Sequence, residues 1–254
     1  MRTRRFRRAI AAATLTQHVA PELPPPDAAL RTREVVRIYE RYAREVVERF
    51  DFCPWAARAR REGAARPLVL FQPDLADLSA SMAAIDELDR ARSLSVGFLI
   101  YPCVTAARLD FEHFVRKLRQ ADRERRDPGQ IPFAMAAFHP HAAPDLSDPD
   151  RLVPFVRRSP DPTIQLVRRE ALESVRGDAS SGTALVEVWM LSPAGLAVPQ
   201  KEGVRERIAQ NNLETVLEHG APTIEAVLAD IAADRAASYA RLGLPAALAG
   251  SAEG

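Results

Sequence analysis

The sequence contains little cysteine, since only Cys53 and Cys103 occur in 254 residues. Two cysteines so far apart exclude a disulfide-stabilised scaffold, and nothing demands an oxidising compartment. No apolar run approaches the length of a membrane span, so we expect a cytoplasmic protein without a membrane partner. The formal net charge is only +1, which argues against nucleic acid as a partner.

Lysine is nearly absent as well, because Lys117 and Lys201 are the only lysines among 35 basic residues. The remaining basic residues are arginines, whose planar guanidinium suits bidentate contacts with carboxylate or phosphate. The folded region has neither a glycine-rich phosphate loop nor a Gly-x-Ser-x-Gly elbow. The sequence therefore gives no motif that would indicate a nucleotide-binding protein or an α/β-hydrolase.

The N-terminal part of the chain has the composition of an extension. Residues 1–8 are strongly basic, and the proline-rich run over 21–26 suits an extended linker. An export or targeting signal is the alternative interpretation of the basic segment. We predict a disordered extension over 1–29, a single globular domain over 30–244 and a frayed tail over 245–254.

Hydrophobic periodicity divides the folded region into helices and strands. Apolar residues recur at three- and four-residue steps over 32–50, which predicts an amphipathic helix. The alternation that follows predicts an α/β (or α+β) fold with a small, mainly parallel or mixed sheet and helices packed on it. Further helices are predicted over 53–61, 75–92, 111–125, 204–219 and 222–242, and strands over 68–71, 96–101, 133–138 and 163–167.

A long proline-rich loop is predicted after the third strand, over 139–162. A loop of this length within a compact domain is more often functional than not. The polar segment over 171–181 is predicted to be mobile, and the apolar segment over 185–191 fits either a strand or a helix.

The first segment with chemical potential surrounds Cys53. Because Pro54 suits the first position of a helix, we expect Cys53 at its N-cap. Unpaired backbone N–H groups and the helix dipole there favour a thiolate, which acts as a nucleophile or a metal ligand. The alternative is a buried structural cysteine, since cysteine is among the most buried residue types.

The second segment contains His139, which directly follows a predicted strand. Ligands of open α/β sheets gather outside the carboxyl ends of the strands. His139 is therefore a candidate general base or metal ligand, and the alternative is a histidine that holds the loop by hydrogen bonds. His141 lies two residues further on and shares its face if the chain stays extended.

The third segment is the arginine-rich stretch around Arg158. Arginines beside a Ser-Pro turn suit a small anionic molecule, so we predict that Arg158 and Arg168 hold a substrate anion and that Ser159 donates a hydrogen bond to it. The alternative is a solvated face with weak local ion pairs, and we adopt this interpretation for Arg169.

A metal site is a further possibility. Cys53, Cys103, His139 and His141 are residue types that suit zinc, but their spacing is not one of the short paired arrangements. Packing is the favoured role of Cys103, which follows a predicted buried strand.

These segments, in this order, resemble an uncharacterised bacterial family, the domain-of-unknown-function family numbered fourteen-fifteen. Its members have a Cys-Pro-Phe-Ala segment after an opening helix, Phe-His-Pro after a strand, and Asn-Arg-Ser-Pro leading to His-Leu-Leu-Arg-Glu. The resemblance covers roughly 34–170, and more weakly the helix that contains Asn211. The matching stretches are Cys53 to Ala56, Phe138 to Pro140, Arg158 to Pro160 and Gln165 to Arg168.

The resemblance implies that Cys53, His139, Arg158 and Ser159 form one site, but it implies no reaction. Three polar positions depart from the family pattern. Gln165 stands at the position of the family's histidine and joins the predicted substrate-binding residues. Arg169 stands at the glutamate position and Arg157 at the asparagine position, so the chain resembles a divergent member with altered or lost activity.

Three functions remain open at this point. The first is a thiol-dependent enzyme on a small anionic substrate, with Cys53 as nucleophile or redox-active thiol and His139 as its base. The second is a non-catalytic module that binds an anionic metabolite. The third is a metal-dependent hydrolase or metal-binding protein that uses Cys53, His139 and His141.

Overall fold

Four strands form one mixed sheet within the residues that the computed structural model describes, which are 26–53, 56–127, 129–170 and 204–245. The strands are Ala65–Val69 (β1), Val96–Ile100 (β2), Phe133–Phe138 (β3) and Thr163–Arg168 (β4). Their order is β1-β2-β4-β3, in which β1 and β2 are parallel and β4 is antiparallel to both of its neighbours.

Helices cover both faces of this sheet. The helices are Pro26–Tyr42 (α1), Ala56–Arg61 (α2), Ser79–Arg90 (α3), Arg108–Glu124 (α4), Pro149–Val156 (α5), Val204–His219 (α6) and Ala221–Leu242 (α7), and a π-helical segment, Ala43–Glu48, continues α1. Helices α3 and α4 pack on one face, while α1, α5, α6 and α7 pack on the other. The predicted α/β class with a mixed sheet is therefore confirmed. None of the helices in the described ranges is long and apolar enough to cross a membrane.

Successive side chains of each strand point to opposite faces of the sheet, so each strand contributes residues to the apolar core on either face. In β2, Leu99 is fully buried against α3 and α4, whereas Ile100 is fully buried against α1 and α7. Gly97 allows α3 to approach β2 closely, because a Cβ at this position would lie 2.6 Å from the Leu88 side chain. The sheet therefore separates two apolar layers.

Most predicted elements are confirmed, with shifted ends. The strand over 133–138 coincides with β3, and the helix over 204–219 coincides with α6. Strand β1 begins three residues before its predicted start, because an edge strand tolerates the proline at position 67. Helix α1 begins at Pro26 rather than at residue 32, since proline suits a first helical turn.

The predicted extension is therefore wrong over 26–29, which belong to α1. Its first 25 residues, the segments over 171–181 and 185–191, and the tail beyond residue 245 lie outside the described residues. The single domain over 30–244 stays a prediction for the same reason.

The predicted loop over 139–162 is wrong in its centre, where α5 forms. The Asp148 side chain accepts hydrogen bonds from the backbone N–H groups of Asp150 and Arg151, at 2.7 and 3.4 Å, and Pro149 fills the first turn. This capping signal was present in the sequence, but the density of prolines obscured it.

A buried ion pair connects the loop before β4 to helix α7. The Asp161 carboxylate is 2.8 Å from the Arg235 guanidinium, and its second oxygen accepts a hydrogen bond of 2.7 Å from the Tyr239 hydroxyl. All three residues are almost completely buried, and the Arg235 guanidinium also lies over the Tyr239 ring. Charges taken out of water must be paired, so this contact fixes the last helix against the sheet.

Replacement of Asp161 by Asn should lower the free energy of unfolding by about 3–5 kcal/mol, because Arg235 loses its carboxylate in a buried site. Chemical denaturation measures the loss. Asp145→Asn is the matched control, since the Asp145 pair with Arg151 is exposed and 3.6 Å long, and should cost less than about 0.5 kcal/mol. Equal stabilities of the two variants would contradict the role of the buried pair.

Candidate functional site

A cavity of about 140 Å³ lies between α1 and the face of the sheet opposite α3 and α4. Its volume is close to the roughly 150 Å³ of an engineered cavity that holds benzene, so it has room for a small organic molecule. The wall of the cavity includes Tyr39, Tyr42, Cys53, Phe98, Phe138 and Gln165.

The π-helical segment forms part of this wall through Ala43, Val47 and Glu48. The Arg49 N–H donates to the Arg44 carbonyl oxygen at 3.2 Å, five residues earlier, which widens the helix at this point. Such π-helical turns are rare and occur frequently at functional sites. The backbone irregularity therefore marks the same place as the cavity.

Cys53 contributes a half-buried thiol to the cavity wall. The N–H of Ala56, the first described residue of α2, donates to the Cys53 carbonyl oxygen at 3.0 Å, and the helix-capping role of Cys53 stays a prediction because residues 54 and 55 lie outside the described ranges. Two buried tyrosines, Tyr39 and Tyr42, also line the cavity. Burial raises the pKa of Tyr39 and of Tyr42 above the usual value, and negative charge on Cys53 raises both further, so the two phenols stay protonated.

Gln165 contributes a polar side chain to this wall whose hydrogen bonding is incomplete. It lies in the middle of β4, and its buried amide oxygen has no hydrogen-bond partner within the described residues. Phe98 is its partner on β2, and the Tyr39 ring lies over Phe98 with 5.0 Å between centroids. The Tyr39 residue is only 8% exposed, and within the same ranges no hydrogen bond to its hydroxyl is found. The Tyr39 hydroxyl and the Gln165 amide thus add two uncharged polar groups to the wall, although the Gln165 oxygen itself is buried.

His139 lies on the other side of the sheet. Phe138 lines the cavity, whereas the His139 ring packs near Phe111 of the opposite core, with 6.2 Å between ring centroids. Its Nε2–H donates to the Ala106 carbonyl oxygen at 3.0 Å, and its Nδ1 accepts from the His141 N–H at 3.2 Å. Both nitrogens are used, so the prediction that His139 acts as a base for Cys53 is wrong and the loop-holding alternative fits.

Arg158 is half-buried and held by the protein itself. Its Nε donates to the Pro140 carbonyl oxygen at 3.1 Å, and its guanidinium is 3.4 Å from the Glu225 carboxylate. Burial lowers the pKa of Arg158. Ser159 is also buried, and its hydroxyl donates to the backbone carbonyl of Asp161. The predicted hydrogen bond from Ser159 to a substrate is therefore replaced by a contact within the turn.

Arg168 stabilises the end of α3 and does not reach the cavity. Its guanidinium donates to the Leu88 and Leu94 carbonyl oxygens at 3.0 and 2.8 Å, and it lies 3.2 Å from the Asp89 carboxylate. It also lies over the Phe133 ring, in the core under α3 and α4. The prediction that Arg168 holds a substrate is wrong, because helix capping occupies the side chain.

The predicted metal ligands are not brought together. The rings of His139 and His141 are neighbours, with 5.5 Å between centroids, while Cys53 lies at the cavity and Cys103 lies near the Asp161 ion pair. Within residues 26–53, 56–127, 129–170 and 204–245, no three His, Cys, Asp or Glu side chains form a possible metal site.

Two residues predicted for the site, Cys53 and Gln165, line the cavity, whereas Tyr39 and Tyr42, which also line it, were not predicted. Both tyrosines lie in α1, where apolar periodicity predicts only burial, and both belong to the core. The signal that was available is the residue type, since a buried tyrosine hydroxyl requires a partner.

The arrangement around His139 predicts acid sensitivity. Burial lowers the pKa of His139 below its usual value of about 6.5, and the nearby His141 and Arg108 lower it further. The unfolded chain therefore binds a proton at a higher pH than the folded chain, so the free energy of unfolding should fall as the pH drops below about 6.5. His139→Gln should reduce this slope between pH 7 and 5, whereas His113→Gln, at an exposed position of α4, should not. Identical slopes in the wild type and His139→Gln would show that His139 does not cause the loss of stability at low pH.

The family to which the chain belongs follows from comparison with known sequences. Neither the curated proteins nor the solved structures include a match to this chain. Residues 34–186 match the family described as "Protein of unknown function (DUF1415)". This match covers more than half of the chain and includes Cys53, His139, Arg158 and Gln165, so the protein is a member of the DUF1415 family.

Proposed function

We propose that the protein binds a small molecule with an apolar body and one polar group in the cavity beside Cys53. The observation that carries this proposal is the pair of polar groups, the Gln165 amide and the Tyr39 hydroxyl, in a largely apolar wall. Pockets for small molecules commonly combine an apolar lining with a few polar groups that fix the ligand's orientation.

The energetic cost of Gln165 supports this proposal. A buried polar atom without a hydrogen bond destabilises a protein by about 1–3 kcal/mol. Leucine has a similar size and would avoid this cost at the same position of β4. A rotation of the amide that brings its oxygen to the cavity lets a ligand donor remove the cost, which gives the glutamine a purpose that packing alone does not give.

The charged residues of the wall favour a neutral polar group in the ligand. Glu48 and Arg60 bind each other at 2.7 Å, and Glu40 binds Arg44 at 3.0 Å. Tyr39 and Gln165 are uncharged polar groups of the wall that can meet the ligand, and the two tyrosines of the wall stay protonated.

An anionic ligand, as the arginine-rich segment predicts, is the second candidate. The Arg157 guanidinium lies over the ring of Phe138, a wall residue, with 5.8 Å to its centroid. The charges of Arg157 and Arg158 also lower the pKa of Tyr42 against the larger effect of burial. A carboxylate at this end of the cavity would benefit from the same positive potential.

A thiol-dependent reaction is the second candidate activity, and the position of Cys53 in the wall favours it. With His139 on the opposite face, any such reaction must proceed without an imidazole base from that residue. Because both cysteines are thiols, a reducing compartment suits the protein, and we propose a cytoplasmic location.

Binding can be tested with isobutyramide and isobutyrate, which share an apolar body and differ in charge. Isobutyramide should bind with a Kd in the millimolar range, roughly tenfold tighter than isobutyrate, because only the amide donates a hydrogen bond to Gln165. Titration calorimetry or ligand-observed NMR measures both affinities. Stronger binding of isobutyrate would instead favour the anionic ligand.

Ala43→Leu controls for the place of binding, because it extends a side chain of the π-helical segment into the cavity. It should abolish isobutyramide binding, whereas Ala83→Leu, at an exposed position of α3, should leave it unchanged. Ala65→Leu fills the cavity from β1 and replaces Ala43→Leu if that variant is unstable. Unaltered binding in both filled variants would rule out this cavity as the site.

Gln165→Leu should raise the free energy of unfolding of the ligand-free protein by about 1 kcal/mol and weaken isobutyramide binding roughly tenfold. Both effects follow from removal of a buried amide that only a ligand satisfies. Gln120→Leu is the control at an exposed position of α4, where the change in stability should stay within about 0.5 kcal/mol. A destabilised Gln165→Leu variant would indicate that the amide has a structural partner.

A further inference from the structure

We propose that helix α2 is a lid over the cavity, held closed by the ion pair between Arg60 and Glu48 and opened by rotation of the backbone at Gly63. This inference rests on the proposed binding function and adds the route by which a ligand enters the site. Its basis is the position of α2, which lines the cavity through Ala56, Ala59 and Arg60. None of the residues that make up this helix is buried.

The other elements of the wall are fixed by the core or by the sheet. Helix α1 is anchored by buried residues such as Val35 and Ile38, and the π-helical segment is anchored by Val46. The four strands that reach the cavity are joined by continuous backbone ladders. Movement of any of these elements would expose apolar side chains or break rows of hydrogen bonds. Among the described parts of the wall, α2 is therefore the element that moves most easily.

A pair of hydrogen bonds connects α2 to the π-helical segment. The Nε and one terminal nitrogen of Arg60 donate to the two carboxylate oxygens of Glu48, at 2.7 and 2.8 Å. Two parallel bonds of this kind fix the orientation of both side chains. The Arg60 side chain is nevertheless 40% exposed, and exposed ion pairs stabilise a protein only weakly. This contact therefore holds α2 in one position and still breaks readily.

The C-terminal end of α2 has the geometry of a hinge. Gly63 has a φ of +66°, and a Cβ at this position would have no neighbour within 4 Å among the described residues. The next residue, Ala64, is held by the sheet, because its carbonyl oxygen accepts from the N–H groups of Ser95 and Val96 at 2.9 and 3.0 Å. A hydrogen bond of 2.9 Å spans the hinge, from the Ala64 N–H to the Ala59 carbonyl oxygen. Rotation at Gly63 breaks this bond and leaves the sheet intact.

The lid couples ligand binding to its own closure. In the closed state, Ala56 and Ala59 line the cavity and can contact a ligand that occupies it. These contacts are lost when α2 swings away, so a ligand binds the closed state more tightly than the open state. Bound ligand therefore lowers the population of the open state, and more so as the ligand concentration rises above the Kd.

The test measures amide hydrogen exchange by NMR in the full-length protein, with isobutyramide as the ligand. Exchange of the Ala64 amide reports opening, because its hydrogen bond spans the hinge. At about ten times its Kd, isobutyramide should slow this exchange about tenfold. The matched control is the Leu244 amide, which donates to the Tyr239 carbonyl oxygen with the same spacing beside Gly243, at the end of α7. Leu244 does not line the cavity, so its exchange should not change.

The role of the ion pair can be tested in the ligand-free protein. Arg60→Met removes the charge and keeps most of the side-chain length, so exchange of the Ala64 amide should accelerate about threefold. Arg66→Met is the matched control, because it removes an exposed ion pair with Glu87, between β1 and α3. The control should leave exchange of the Ala64 amide unchanged. Equal rates in the wild type and Arg60→Met would overturn the ion pair as the contact that holds the lid closed.

The wild-type measurement decides between the two proposals without any variant. Isobutyramide that binds but leaves exchange of the Ala64 amide unchanged would overturn the lid and retain the binding cavity. Equal slowing of the Ala64 and Leu244 amides would also overturn the lid, because this pattern reports stabilisation of the whole fold. Absence of isobutyramide binding would overturn the lid and the proposed function together.

Discussion

Consecutive side chains of a strand point to opposite faces of the sheet, and this constraint decides which candidate residues meet. In β3, Phe138 points into the cavity, so the side chain of His139 is directed toward the other core. In β4, Gln165 shares the cavity face, whereas Leu166 is buried under α3 and α4. The sheet thus places the Cys53 thiol and the His139 imidazole, which the sequence predicted to form one site, on opposite faces.

The same frame explains how the Gln165 amide oxygen remains without a hydrogen bond among the described residues. Its backbone is fixed by ladders to strands on both sides, and the neighbours Leu166 and Ile164 are fully buried in the opposite core. The fixed backbone thus keeps the side chain on the cavity face of the sheet. A rigid central strand therefore keeps a polar group in the wall at an energetic cost, which a surface loop would relieve by moving.

Much of the fold could be predicted from the sequence, because apolar periodicity reports burial directly. The strand over 133–138 and the helix over 204–219 were predicted with the observed ends. Two residues predicted for the site, Cys53 and Gln165, line the cavity, the second predicted only through a family resemblance. Strand alternation orients the His139 side chain opposite to that of Phe138, but the sequence could not show on which face the cavity and Cys53 lie, since this depends on how α1 packs on the sheet.

The arginines explain why the sequence pointed toward an anion while the cavity wall is mainly neutral. Where nearly every basic residue is arginine, guanidinium groups also do the structural work of the fold. Arg168 caps α3, Arg235 binds Asp161 in the core, and Arg37 joins α1 to α7 through Asp234. A carboxylate ligand would compete with such internal partners and lose its own hydration. A neutral polar ligand avoids both costs, because the uncharged Tyr39 hydroxyl and Gln165 amide of the wall can meet it without moving an ion pair.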